Sequence, residues 1–262
     1  MNPGLRTSAS GMLAQQLRVD AIANNLANVN TTGFKRSRVN FEDVLYDTLQ
    51  GTRVVNYQGA ETLGPVQVGR GVRLASIVRI HTQGPLEPTG RPLDFAIEGE
   101  GFLQVLRPDG ATAYTRDGTL TLSDTGGLVT GTGYQLLPGI TVPPGATELT
   151  ISPAGIVSAT IGASGETAEL GRLELARFVN PTGLLSLGEN LYAATAASGE
   201  PMVGVPQEDG FGRIIQGSLE SSNVEIVQEM VDMIAAQRAY EVNSKAIRSA
   251  EDMIDQANAL IR

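Results

Sequence analysis

The sequence predicts an α+β protein in which long N- and C-terminal helices form a coiled-coil layer and the middle of the chain is an all-β domain of short strands. Three observations predict this. Each terminal segment carries an apolar heptad stripe, the last forty residues contain neither Gly nor Pro, and the middle alternates short apolar runs with turn sequences.

The first element is a helix over residues 1–33. Leu5, Met12, Val19 and Leu26 fall seven residues apart, and Ile22 and Val29 occupy the complementary position, held earlier by Ser8 and Gln15. Gly33, after Thr31-Thr32, is its predicted stop. Residues 34–90 form a connecting segment of extended or hairpin character, in which Val66–Ile80 has strand composition. Residues 91–220 form the all-β domain. Pro108-Asp109-Gly110, Asp117-Gly118 and Gly126-Gly127 read as hairpin turns, and Thr119–Ser123 and Arg172–Phe178 alternate with the period of a half-buried strand. Asn180–Gly183 and Ser198–Gly212 read as loops. The last element, 221–262, is one long helix opened by a Ser222/Glu225 capping box. Its stripe is Ile226, Met233, Tyr240, Ile247, Ile254 and Ile261, widened by Ala236, Ala250 and Ala257 and by Ala246, Met253 and Leu260.

Composition narrows the function. With 41% hydrophobic and 18% charged residues the chain can bury a core, and its few aromatics (5%, no Trp) disfavour a large aromatic ligand pocket. The net charge is −9, with an excess of basic residues near the N-terminus and of acidic ones near the C-terminus. No basic face suited to nucleic acid emerges beyond Lys35–Arg38, which reads as a solvated turn or a partner for the acidic C-terminal segment. The absence of Cys excludes disulfides and thiolate chemistry. No stretch is apolar enough for a cleavable leader or a membrane span, which taken alone reads cytoplasmic and predicts no membrane insertion.

Catalytic machinery is not predicted. His81 is the single histidine, so a multi-histidine metal site cannot be assembled, and its setting reads as a strand end or loop. Gly99-Glu100-Gly101 and Gly131-Thr132-Gly133 lack the following helix that a phosphate loop requires and read as hairpin glycines. Asp94, Glu98 and Glu100 read as exposed strand carboxylates rather than an acid/base pair. The expectation is no catalytic residue, no cofactor and no metal.

Both helices do have an expected role. A lone N-terminal helix of this length is marginal in water, so it needs a partner, and the C-terminal helix shares its period and opposes its charge. With Leu26 at heptad position a, Asn24, Asn25, Asn28 and Asn30 fall off the seam. A solvated face would carry Lys and Glu. Uncharged amides can donate and accept against protein neighbours without stranding a charge. The expected self-assembly interface therefore comprises Leu5, Met12, Val19, Ile22, Asn24, Asn25, Leu26 and Val29. Its C-terminal half comprises Ile226, Met233, Ala236, Tyr240, Ile247, Ala250, Met253, Ile254, Ala257 and Ile261.

Three stretches carry a resemblance. Ser10–Tyr46 ("SGMLAQQLRVDAIANNLANVNTTGFKRSRVNFEDVLY"), Phe95–Leu137 and Gly217–Ile254 resemble, in order and at both termini, the bacterial flagellar rod and hook family. Length and the segment Asp47–His81 resemble its distal rod members, whereas Pro3-Gly4 departs from the family's wording. The resemblance implies a non-enzymatic subunit of a rigid hollow helical drive shaft that passes torque to the hook. Terminal helices would pair in an inner layer, and the β-domain would decorate the outside. Implied partners are sister copies, other rod and hook subunits, the surrounding ring proteins and the flagellar type III export apparatus. The implied location is the periplasmic part of the basal body, reached without a cleaved signal peptide. A proximal rod or hook-like subunit of the same family is one alternative. A secreted β-domain enzyme or glycan-binding module with a coiled-coil stalk is another.

Overall fold

A computed structural model of the chain describes residues 3–50, 53–54, 62–63, 66–162 and 166–260. The chain divides into two compact units, the first made of Met1–Leu26, Ser37–Val78 and Ile226–Arg262, the second of Ala27–Arg36 and Arg79–Glu225.

The first unit holds α1 (Pro3–Ala27), one long two-stranded ribbon and α2 (Ile226–Leu260). Helix α1 starts at Pro3, because a proline in the first turn forfeits only an N–H that has no intrahelical partner. It stops at Ala27, six residues before the expected glycine. The chain then turns, with Thr31 donating its N–H to Asn28 O and its hydroxyl to Asn28 Oδ1. Gly33 is not the helix stop but the left-handed residue that follows this turn (φ +66°).

The connecting segment is a hairpin interrupted by irregularities. β1 (Ser37–Asp43), β2 (Tyr46–Gln50) and β3 (Arg53–Val54) run out. β4 (Thr62–Leu63), β5 (Val66–Gly69) and β6 (Val72–Arg79) return, pairing as β3–β4, β2–β5 and β1–β6. Val44 donates to Gly71 O across the break between the second and third pairs. At Gly71, in positive φ, an added Cβ would lie 2.2 Å from Ser10 Oγ, so this glycine lets the ribbon approach α1. Ser10 Oγ accepts the Val72 N–H at 3.2 Å.

Helix α2 begins at Ile226 rather than at the expected capping box. Ser222 Oγ takes the N–H of Val224, two residues on, so no Ser222/Glu225 reciprocal pair forms.

The second unit contains β7 (Leu86–Pro88), β8 (Phe95–Glu98), β9 (Phe102–Leu106), β10 (Thr112–Thr115), β11 (Leu120–Leu122), β12 (Leu128–Thr130), β13 (Gln135–Leu137), β14 (Ala146–Ile151), β15 (Ile156–Ile161) and β16 (Glu166–Arg172). It continues with β17 (Leu175–Arg177), β18 (Leu185–Gly188), β19 (Leu191–Ala193), β20 (Met202–Gly204), β21 (Arg213–Gln216) and β22 (Ser218–Glu220). The main sheet has the order β11-β12-β13-β9-β10-β19-β18, with β17 joining β9 and β20 joining β17. A three-stranded meander β14-β15-β16 and the pairs β8–β21 and β7–β22 complete it.

The turns at Asp109-Gly110 and Gly126-Gly127 make the expected antiparallel hairpins, β9–β10 and β11–β12. Gly131 and Gly133 close the β12–β13 hairpin. Two other expectations fail. Asp117-Gly118 links β10 to β11, and Gly99–Gly101 links β8 to β9, yet neither strand pair is hydrogen-bonded. Gly99–Gly101 is a passage between sheets, whereas β10 and β11 belong to the one main sheet with β12, β13 and β9 between them. At Gly118 an added Cβ would lie 1.6 Å from Phe95 O, so only glycine fits this crossing. Arg172–Phe178 holds the end of β16 and all of β17 rather than one strand, and the expected loop Ser198–Gly212 contains β20.

Alternation along the strands gives the main sheet two faces. Leu103, Val105, Ala113, Leu120, Leu128, Leu136, Leu175 and Leu191 join Phe95, Ile97, Val157 and Ile214 in the larger core. Phe102, Tyr114, Ala176 and Tyr192 form a smaller aromatic core with Phe178 and Leu184.

Candidate assembly surfaces and a buried charge cluster

In the first unit α1 and α2 lie side by side and antiparallel. A Cβ added at Gly11 would lie 3.0 Å from Asn243 Nδ2. Arg18 Nη2 meets Asp232 Oδ1 at 3.0 Å, and Asn25 Nδ2 meets Glu229 Oε2 at 3.1 Å. Between these contacts Ala14, Ile22 and Ala236 are buried.

The expected interface residues divide accordingly. Ile22, Asn25 and Ala236 are buried, while Leu5, Met12, Val19, Leu26, Met233, Ile247 and Ala250 are half-buried. Val29 is half-buried in the turn after α1. Asn24 is exposed, as are Ile226, Tyr240, Met253 and Ile254. Ile261 and the side chain of Ala257 lie outside the described residues.

Two corrections follow. Asn25, expected off the seam and facing neighbours, is only 1% exposed and is satisfied inside its own chain. Its Oδ1 accepts the Ser37 N–H at 2.8 Å, and its Nδ2 donates to Ser37 O at 2.9 Å and to Glu229. On α2 the line closest to α1 is Glu229, Ala236 and Asn243, the expected Ala236/Ala250 side of the stripe rather than its Ile226/Met233/Tyr240 side. This line includes two polar residues, Glu229 and Asn243, that apolar periodicity does not mark. Ile226 and Ile254 are exposed because α1 spans 25 residues against 35 in α2, leaving the ends of α2 uncovered.

The opposite side of α2 is apolar at its start. At 100° per residue Val227, Val231 and Ile234 point away from Glu229, flanked by Met230. Val227 is 70% and Val231 56% exposed. Beyond Ile234 that side turns charged, with Arg238, Glu241 and Lys245. The ribbon is also apolar and open at Leu45, Tyr46, Val66, Val68, Leu74 and Ile77. A two-stranded ribbon standing alone in water is marginal.

The second unit hides a charged cluster that sequence reasoning missed. Lys35, expected in a solvated turn or as a partner for the acidic C-terminal segment, is fully buried against Glu220 at 2.5 Å and donates to Thr82 O at 2.7 Å. Glu220 also accepts from the Gly84 N–H at 2.9 Å and from Arg116 Nη1 at 3.4 Å. Arg116 Nη2 donates to Gly99 O at 2.8 Å, and its guanidinium lies over the Phe102 ring. Asn223 extends the network by accepting the Arg36 N–H and donating to Ile80 O. Thr31–Arg36, Arg79–Pro85 and Glu220–Asn223 are thereby tied into one knot. Its signal is long-range, since Lys35 and Glu220 are 185 residues apart.

His81 sits in this knot with its ring edge-on to Phe102 and Tyr192, and both ring nitrogens are buried without a hydrogen-bond partner. Burial first, then the charges of Lys35, Arg116 and Arg79, push its imidazole down to about 4. Burial likewise lowers the Lys35 amine, with Glu220 acting in the opposite sense. Asp94, expected to be exposed, is buried and accepts from the Thr89 hydroxyl at 2.7 Å. Nothing in the knot resembles a nucleophile and base set around an open cavity. Among the described residues no cluster of potential ligands could hold a metal ion, and no helix is long and apolar enough to cross a membrane.

Comparison with known proteins decides the family. The chain matches the models of the flagella basal body rod protein over residues 5–35, the flagellar hook protein FlgE/F/G D1 domain over 96–159 and the flagellar basal body rod FlgEFG protein C-terminal region over 215–260. It is 50% identical to the flagellar basal-body rod protein FlgG of Borreliella burgdorferi across the full length of both chains. This chain belongs to the flagellar basal-body rod family. Relatives of the same description occur in Caulobacter vibrioides, 46% identical over 98% of both chains, and in Bacillus subtilis, 39% identical over 96% of both. The family's matched segments include both helices and the Lys35 turn, and the third begins just before Glu220.

Proposed function

We propose that this chain is a structural subunit of the flagellar distal rod and self-assembles into a rigid hollow helical shaft that carries motor torque to the hook. The observation that carries the polymer is the distribution of apolar surface on α2. Its contact line with α1 is partly polar, while Val227, Met230, Val231 and Ile234 stand in solvent on other sides. A monomeric soluble protein gains nothing from such a stripe, whereas sister copies would cover it. Contacts that do not close into a ring propagate into an open helical assembly.

In this reading residues 1–33 and 221–262 form a coiled-coil inner layer, residues 91–220 form the outer domain, and residues 34–90 fill the space between neighbouring copies and stiffen the shaft. The open apolar side chains of the ribbon support that last role. Other rod subunits, hook subunits and ring proteins would be neighbours. Export through the flagellar type III apparatus without a cleaved signal would bring the chain to the periplasmic basal body. Torque passes through static contacts, so no turnover is required.

Electron microscopy of concentrated protein tests the proposal. Tubes are expected from the full chain and none from a variant lacking residues 1–30, whose second unit should still melt cooperatively. Normal tubes from the truncated chain, or none from the full chain at any concentration, would overturn it.

A further inference from the structure

The two helices carry the same heptad period, which creates an ambiguity of alignment. Sliding α2 along α1 by seven residues, about 10.5 Å at 1.5 Å per residue, brings one apolar stripe back onto the other. Met12 and Val19 would meet much the same chemistry at Met233, Tyr240 or Ile247. Apolar contacts therefore select a spacing and leave the register open.

The polar contacts are not repetitive. Gly11, Arg18 and Asn25 stand seven residues apart on α1, and Glu229, Ala236 and Asn243 do so on α2. In the observed register Asn25 meets Glu229, Arg18 meets Asp232, and the side chain of Asn243 fills the space left by Gly11. A slip that brings Ala250 opposite Gly11 sets Asn25 against Ala236 and Arg18 against Asn243. Asn25 and Glu229, 1% and 4% exposed, then lose each other in the interior. A slip the other way offers Arg18 the Glu229 carboxylate but carries Asn25 past the start of α2 and separates it from that same carboxylate. Parting a buried amide–carboxylate pair is costly, and buried polar pairs fix register in heptad assemblies.

We propose that the Asn25–Glu229 contact, reinforced by Arg18–Asp232, is a register lock that selects one of the heptad-equivalent alignments of α1 on α2. It acts within one chain and does not depend on whether copies polymerise.

The cysteine-free sequence suits disulfide reporters. In the full chain at low concentration, G11C/N243C should oxidise readily to an intramolecular disulfide and G11C/A250C should not. Adding N25L/E229L keeps the seam apolar. It should raise the G11C/A250C product at least tenfold, with helical content by circular dichroism unchanged. E229Q, which preserves an acceptor for Asn25, should leave that product at background. If N25L/E229L loses its helices, E229L alone is read with the same reporters, since Asn25 then keeps both Ser37 bonds. Slipped product at background in the helical Leu variants would overturn the lock and assign the register to the chain connections instead.

Discussion

His81 makes the stability of the second unit depend on pH in a way that can be isolated. Its imidazole titrates at about 4 in the folded chain against 6.5 when free. The unfolded chain thus takes up a proton first as the pH falls. Above 6.5 the residue contributes nothing to the pH dependence; between 6.5 and 4 it progressively removes stability; below 4 the loss is complete. At roughly 1.4 kcal/mol per pH unit of separation the full loss is about 3 kcal/mol. The cause is structural, because the ring is buried with no acceptor facing either nitrogen, and the charges of Lys35, Arg116 and Arg79 add to the effect. His81→Phe keeps a ring beside Phe102 and Tyr192 and removes the titration. Urea unfolding at pH 7.5, 6, 5 and 4, followed by near-ultraviolet circular dichroism of the aromatic core, compares the two proteins. Carboxylate titration is common to both and cancels. The variant should gain about 3 kcal/mol relative to the parent between pH 7.5 and 4, and parallel pH curves would refute the depressed titration of the buried imidazole.

The other predictions concern the knot and the seam. Glu220→Ala leaves Lys35 and Arg116 buried without their carboxylate and should destabilise the second unit by about 3–5 kcal/mol, read as a lowered urea midpoint, with Glu220→Gln milder because it still accepts. Ile247→Asp puts a charge at a half-buried position of α2 and should raise the critical concentration for tube formation at least tenfold, about 1.4 kcal/mol per subunit, measured by sedimentation.

What was legible in the sequence was what local chemistry decides. Pro108-Asp109-Gly110 and Gly126-Gly127 contain residues that favour tight turns, so both hairpins were readable. The unbroken run after Ile226 could only be a long helix. The rest depended on partners distant in the chain. Asp117-Gly118 has hairpin wording, but Phe95 O approaches within 1.6 Å of where a Cβ would sit, and the chain passes to the edge strand of the main sheet instead of folding back on β10. The helix stop moved from Gly33 to Ala27 because Asn28 and Thr31 bond to each other in a turn. Lys35 looked like a surface base beside Arg36 and Arg38 until Glu220 arrived from the other end of the domain. Helical periodicity located the seam residues to within about one position. It could not show that a glycine and two polar side chains stand with Ala236 in the helix contact.

The amides of α1 illustrate why composition misled at Asn25 in particular. An asparagine inside a helix gives up helix propensity, which suggests a partner of some kind. A neighbouring copy is one such partner, and the chain's own backbone is another. At Asn25 the backbone takes that role. The oxygen accepts from Ser37 and the nitrogen donates back to it, so the side chain reproduces the pairing of a β-strand neighbour where β1 begins. The second amide hydrogen remains for Glu229. Aspartate could accept from Ser37 but would set a second carboxylate beside Glu229, and lysine could donate but not accept. Only an uncharged group with one acceptor and two donors serves a strand and a carboxylate together. A residue with little helix propensity is therefore the one that ties both helices to the ribbon.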